Sequence, residues 1–357
     1  MSARPARVIE TLDGREIDVL LVDALVNVRY LTGFTGSSAL ALLSPDKLVF
    51  VTDFRYVEQA AEQVDTAFER IWAPQELMDA IVDVMPPGAV RLGFDDEHLS
   101  VRTHQRLREL LPDRVQLVPA GGLVEGLRAV KDAEEIGRIA AAAELADAAL
   151  SRVLERGIVG LTEREVALSL EGEMRSAGAP RPSFDSIIAA GPHGALPHAR
   201  PRDVPIERGQ LVVFDWGAEL DGYCSDCTRT VATGEIGQSA ADVYELVLAA
   251  QLAGLEAVKA GAGGREVDAV ARSVIEAGGH GERFGHGLGH GVGAEIHEAP
   301  RLSQRSEDEL RIGNIVTVEP GVYVPGEFGV RIEDLLAVTD TGAQILTSLP
   351  KQLISVE

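Results

Sequence analysis

Aromatic side chains are scarce in this chain, at 4% of its residues, so its cores must rest on Leu, Val, Ile and Ala. Cysteine is scarcer still. Only Cys224 and Cys227 occur, which argues against a disulfide framework and fits a reducing compartment. Long apolar runs are also missing. No stretch approaches the roughly 20 apolar residues of a membrane span, and no apolar run of the signal-peptide kind follows Arg4 and Arg7. Positive charge is in deficit, with 33 Lys and Arg against 56 Asp and Glu and a net charge of -23. Proteins that grip duplexes or anionic membranes carry the opposite balance, so neither nucleic acid nor membrane is an expected partner. These absences describe a soluble, cytoplasmic protein.

What is present is enough for two domains: 357 residues, 45% of them hydrophobic. Apolar runs at 18–22, 38–43, 48–52, 90–93 and 115–119 alternate with helix-like segments at 54–64, 75–84 and 101–111. That alternation predicts an α/β sandwich. The Pro86-Pro87-Gly88 sequence reads as a turn. A domain boundary is expected at 119–126, where three glycines precede a change of pattern.

From Asp132, a potential N-cap, Ile136, Ile139, Ala140, Ala143, Ala146 and Leu150 recur at helical spacing. A second helix should begin at Thr162, whose partner Glu165 completes a capping box, and stop at Gly178. The same design returns as helices over 239–260 and 264–277. Gly160, Arg164, Glu165, Val166 and Gly178 match Gly261, Arg265, Glu266, Val267 and Gly279, each offset by 101 residues. An internal duplication with a pseudo-two-fold axis follows, and a cleft between the copies is a natural site.

Acids then appear where apolar strands are predicted. Asp215 lies in Leu-Val-Val-Phe-Asp-Trp, and an unpaired charge there would be expensive to bury. Asp226 lies in a second β-like run, joined to the first by a turn at Asp221-Gly222, an arrangement that sets two carboxylates side by side. Like charges so close need a cation to stay ionised, although a turn Asp and a salt-bridged Asp would also explain the pair. Glu319 ends the run 315–319, and Glu333 lies inside 330–338.

The stretch 285–293 is glycine-rich and carries His286 and His290, with His297 beyond it. It lacks the Glu of the zinc-peptidase helix motif and has too many glycines for a helix. No surrounding strand–turn–helix supports a dinucleotide loop. Four carboxylates with one imidazole suit two divalent ions, Mn²⁺ or Co²⁺ before Fe²⁺ or Zn²⁺. Cys224 and Cys227, flanking Asp226 in a predicted strand, would point to opposite faces and read as buried small hydrophobes.

Taken together these residues resemble the pita-bread metallopeptidases, and within them the Xaa-Pro branch of prolidase and aminopeptidase P. The resemblance covers essentially the whole chain. It includes Tyr30-Leu31-Thr32-Gly33-Phe34-Thr35-Gly36-Ser37, Asp53-Phe54-Arg55-Tyr56 and Leu127-Arg128 followed by Lys131-Asp132 and Glu135. It implies a creatinase/prolidase-like N-terminal α/β domain over 1–122. An α+β pita-bread catalytic domain with pseudo-two-fold duplication would follow over 123–357. It further implies two divalent ions, Mn²⁺ foremost, held by Asp215, Asp226, His290, Glu319 and Glu333, with a bridging hydroxide that attacks the carbonyl before proline.

On the same resemblance, Glu319 shuttles the proton, while His297 and His198 hydrogen-bond the substrate and the developing oxyanion. His286 lines the proline side, Arg331 backs the ligands and contributes to substrate binding, and Arg301 reads the proline carboxylate. The expected substrates are small proline-containing peptides, Xaa-Pro dipeptides first, and the expected assembly is the family's homodimer. Removal of the N-terminal residue from Xaa-Pro-Yaa peptides is the alternative activity. An inactive binding protein and creatinase fit poorly with an intact ligand set. Methionine aminopeptidase usually lacks the large N-terminal domain.

Overall fold

The computed structural model describes residues 3–357, and the chain divides into two compact units, one ending at Arg128 and one starting at Ala129. In the first unit, helix α1 (Ala3–Leu12) leads into β1 (Val19–Val22), α2 (Leu25–Thr32), β2 (Ala39–Leu43) and β3 (Leu48–Thr52). Then come α3 (Val57–Gln63), β4 (Phe68–Trp72), β5 (Val90–Phe94), α4 (Val101–Leu110), β6 (Val115–Pro119) and α5 (Leu123–Arg128).

The six strands form one sheet in the order β4-β3-β2-β1-β5-β6. It is antiparallel at β1–β2 and β2–β3 and parallel elsewhere. Leu20, Val22, Ala41, Leu43 and Phe50 join one core, and their strand neighbours Val19, Leu21, Leu40, Leu42 and Val49 join another on the opposite face. Burial on both faces is why these strands read as unbroken apolar runs.

Several elements depart from expectation here, among them helix α2, which was not anticipated. The segment expected to be helix over 75–84 forms a 3-10 helix, Leu77–Val84. Strand β4 was not expected at all. It lies at the edge of the sheet, where Glu69 pairs with Lys47 at 2.6 Å, so its sequence is half polar.

The second unit opens with α6 (Ala133–Glu155) and α7 (Glu163–Ser176). The capping box expected at Thr162 is present, and the expected N-cap Asp132 also proves to be part of a capping box. Asp132 Oδ1 accepts from Glu135 N at 2.9 Å, and Thr162 Oγ1 accepts from Glu165 N at 3.1 Å, each answered by the Glu side chain. Strands β7 (Arg181–Pro182), β8 (Ile187–Ala190), β9 (Leu211–Trp216), β10 (Ala218–Leu220), β11 (Tyr223–Cys224) and β12 (Cys227–Ala232) follow. The helix pair then recurs as α8 (Gln238–Ala257) and α9 (Gly264–Ala277). Beyond it lie β13 (Gly289–Gly291), β14 (Glu298–Leu302), β15 (Ile315–Val318), β16 (Gly321–Val324), β17 (Phe328–Arg331), β18 (Asp334–Val338) and β19 (Ala343–Ile345).

The 101-residue offset is visible in the backbone. Gly160 and Gly261 have φ of 87° and 82°, and Gly178 and Gly279 have 112° and 78°, all in the left-handed region that favours glycine. Gly160 N donates to Ile206 O and Gly261 N to Leu310 O. Each helix pair covers its own sheet: α6 and α7 pack on β12-β9-β8, and α8 and α9 on β14-β13-β15-β18-β19. No helix among the described residues is long and apolar enough to cross a membrane.

Candidate metal centre

Asp215 sits in β9, the central strand between β8 and β12, opposite Thr228. The expected turn is formed, with Asp221 and Gly222 at φ of 50° and 83° closing the β10–β11 hairpin. Asp226, however, lies outside a strand. Ser225 exchanges hydrogen bonds with Ala218, through its main-chain N and its Oγ, and breaks the run between β11 and β12. The two cysteines therefore belong to different strands, both buried and free.

Glu333 also departs from expectation. It falls in the two-residue gap between β17 and β18, where the chain leaves its pairing with β16 for one with β15. Its N–H donates instead to Thr228 O at 3.1 Å, which ties the two halves together beside Asp215. Glu319 follows the last residue of β15. Of the four acids, only Asp215 is inside a strand, and the other three occupy strand ends and breaks.

These departures bring the acids together. Asp215, Asp226 and Glu333 each offer a carboxylate oxygen within 4.8 Å of the others. Asp215 Oδ1 and Glu333 Oε1 are buried without a hydrogen-bond partner. The remaining oxygens are held from behind. Arg331 Nη2 donates to Asp215 Oδ2 at 2.6 Å, Thr228 Oγ1 to Glu333 Oε2 at 2.7 Å, and Thr317 Oγ1 to Glu319 Oε1 at 3.0 Å.

His290, in β13, completes the group. Its Nδ1 donates to Gly291 O at 3.0 Å, so Nε2 carries the lone pair. That lone pair lies 3.3 Å from Glu319 Oε1 and 3.6 Å from Asp226 Oδ2. The close approach of β13 to β15 requires Gly289, because a Cβ there would collide with the Thr317 carbonyl.

Burial raises all four carboxyls, Asp226 and Glu333 well above their ordinary values and Glu319 to about 7. Burial also pushes His290 down to about 3, so its imidazole is neutral. The Arg331 guanidinium hydrogen-bonds only one of the four carboxylates, Asp215, so the acids are short of positive charge. Unpartnered buried oxygens converging with an imidazole lone pair fit divalent cations.

All ten residues singled out from the sequence line one cavity of about 500 Å³. His198 and His297 stand on its wall, and the His297 ring meets that of His290 edge-on with centroids 4.4 Å apart. Arg301 is the cross-strand partner of His290 in the β13–β14 ladder, so it flanks the acids. The two nitrogens of His286 are already engaged: Nδ1 donates to Gly287 O at 2.8 Å and Nε2 accepts from Tyr323 OH at 2.9 Å. Burial lowers its pKa to about 4, and it contributes a ring face to the cavity. Tyr323, which also accepts from Arg331 Nη1 at 2.8 Å, had no signal in the sequence, nor did the apolar wall of Phe184, Ile187 and Ile296.

Residues 137–340 match the family model of metallopeptidase family M24, and residues 4–130 match the creatinase/prolidase N-terminal domain. The uncharacterized peptidase YqhT of Bacillus subtilis is 45% identical over 95% of this chain and 96% of its own length. The structure of an Xaa-Pro dipeptidase from Bacillus anthracis superimposes with a TM-score of 0.95, at 41% identity and 99% coverage of both chains. That of an X-Pro aminopeptidase from Thermotoga maritima gives 0.91, at 35% identity, covering 99% of this chain and 100% of the other. With a creatinase/prolidase-type domain ahead of a pita-bread catalytic domain that gathers four acids and a histidine, the chain belongs to metallopeptidase family M24.

Proposed function

We propose that this metallopeptidase hydrolyses the peptide bond before proline in Xaa-Pro dipeptides. Two divalent ions would be held by Asp215, Asp226, His290, Glu319 and Glu333. The observation that carries the metal assignment is the convergence of unpartnered Asp215 and Glu333 oxygens, an Asp226 oxygen and the His290 lone pair. Four hard carboxylates with a single imidazole favour Mn²⁺. The substrate assignment draws on the relatives, among them the Bacillus anthracis Xaa-Pro dipeptidase.

When bound, the ions would acidify a water and polarise the scissile carbonyl. Glu319 takes the proton from the attacking water and delivers it to the proline nitrogen. His297 and His198, on the cavity wall, donate hydrogen bonds to the carbonyl oxygen as it gains charge. Arg301, beside His290, receives the free carboxylate of the proline. Phe184, Ile187 and Ile296 offer the apolar surface a side chain or ring needs.

An Xaa-Pro bond is a tertiary amide with no N–H. A pocket shaped for the ring suits it better than recognition through a backbone ladder. Turnover of Ala-Pro beside Ala-Pro-Ala at matched concentration tests the reading. Preference for the dipeptide supports it, and preference for the tripeptide assigns the chain to the aminopeptidase class represented by the Thermotoga maritima structure.

A further inference from the structure

We infer that Glu163 is a positioning residue for His198, holding both ends of the segment that carries it. Glu163 is the first residue of α7 and is 0% exposed. It stands outside the cavity, so it acts through its partners. Its carboxylate accepts from Ala190 N at 2.9 Å and from His193 Nδ1 at 2.9 Å. From the far end of the same segment it accepts from Arg202 N at 3.0 Å, Nε at 3.1 Å and Nη2 at 3.1 Å. Because a carboxylate only accepts, His193 must carry its hydrogen on Nδ1. Burial alone would raise the Glu163 carboxyl, but Arg202, the two amides and His193 outweigh it and hold the group below its ordinary value, ionised at neutral pH.

Between the two ends lie Pro197, His198, Ala199 and Arg200, which form one wall of the cavity. The segment is folded on itself by Leu196 N to His193 O and Ala199 N to Leu196 O. It is tied toward the acids through Arg331, whose Nη1 donates to Pro197 O at 3.3 Å. A loop fixed at both ends by a buried charge and crossed by a short turn has little freedom, so the His198 imidazole is delivered to the cavity without an ordering cost at the moment of reaction.

The duplication isolates what is special about this residue. The 101-residue offset maps Glu163 onto Gly264. Main-chain pairing is the same at both places, Glu163 N to Val204 O and Gly264 N to Asp308 O. In the second copy a Cβ would collide with the Arg301 carbonyl, so the His297-bearing chain packs directly on the helix start. In the first copy a carboxylate fills that gap. The start of α7 thus meets the His198 wall through a carboxylate, where the start of α9 meets the His297-bearing chain through main-chain contact.

This inference rests on the role proposed for His198, and the test separates the two. Glu163→Gln keeps the shape but turns an NH2 group toward donors. Hydrogen–deuterium exchange of the 190–202 amides should rise by about tenfold or more, with β9 and β12 unchanged. The protein should bind as much Mn²⁺ as the wild type. On Ala-Pro, kcat should fall by about 10- to 100-fold with KM changed by less than about threefold, and Glu163→Gln should add nothing further in a His198→Ala background. Arg202→Ala, at a side chain 46% exposed, should fold normally and show the same pattern more weakly. Unchanged exchange over 190–202 in the folded variants, or additive losses with His198→Ala, would overturn the inference. Altered exchange in a protein that does not cleave Ala-Pro would sustain the clamp and remove the substrate assignment.

Discussion

His290 Nε2 lies 3.3 Å from Glu319 Oε1 with its own hydrogen committed elsewhere, to Gly291 O through Nδ1. Two lone pairs at that distance repel unless a proton or a cation lies between them. Three further acids around the contact make the cation the better answer. Glu319→Gln removes the proton acceptor and one anionic ligand together. At saturating Mn²⁺, kcat should drop by about 10²- to 10⁴-fold, and the Mn²⁺ affinity should fall as well. Near-normal kcat once the ion is saturating would remove Glu319 from the proton path.

His297 touches the ring of His290 but lies outside the acid cluster, so its loss should separate chemistry from metal binding. His297→Ala should retain Mn²⁺ in equilibrium dialysis while kcat falls by about 10²-fold or more. Loss of the ion instead would mean that the two histidines have exchanged roles.

Arg301 should discriminate between substrates. Arg301→Ala is expected to raise KM for Ala-Pro by about 10- to 100-fold, the equivalent of losing a hydrogen bond to a charged group. The same change should affect Ala-Pro-Ala far less, since the tripeptide has an amide where the dipeptide has its carboxylate. Equal losses on both substrates would make Arg301 a structural residue.

Legibility followed burial pattern. Asp215 stood out because a charge inside a strand needs a partner, and the capping residues Asp132 and Thr162 stood out because local chemistry dictates them. The paired glycines marked the repeat through positive φ, a backbone property that sequence carries directly. Strand β4 was illegible because an edge strand with Glu69 and Arg70 does not alternate cleanly. Helix α2, with Val26, Val28 and Thr32, contradicts its own β-branched preference and is set by packing. The breaks at Asp226 and Glu333 come from a change of partner strand, which is a long-range event. Glu163 was hidden in plain view beside a capping Thr, where an acid is ordinary on dipole grounds alone.

A charge in the first unit offers an independent check on the fold. Asp23 Oδ1 is buried there without a partner. Burial raises its carboxyl above 3.8, with His98 opposing and Asp95 adding to the rise. For an acid raised in the folded state, the protonated form is favoured on folding. Its contribution is therefore most favourable at low pH and becomes a penalty as pH rises through the folded value. Asp23→Asn removes that penalty. Its Tm should match the wild type near pH 4 and exceed it by about 2 °C or more at pH 7. A Tm advantage that is constant with pH would show that desolvation of the charge is not the cause.

The central claim is that the convergence of Asp215, Asp226, His290, Glu319 and Glu333 is a two-ion site. Elemental analysis of the chelated protein titrated with Mn²⁺, read together with Ala-Pro hydrolysis, tests it most directly. The account predicts that chelation abolishes hydrolysis, that activity returns with Mn²⁺, and that binding saturates at two ions per chain, falling in Asp226→Asn and Glu333→Gln. Full hydrolysis by protein carrying no detectable ion, or saturation that is indifferent to those substitutions, would contradict it.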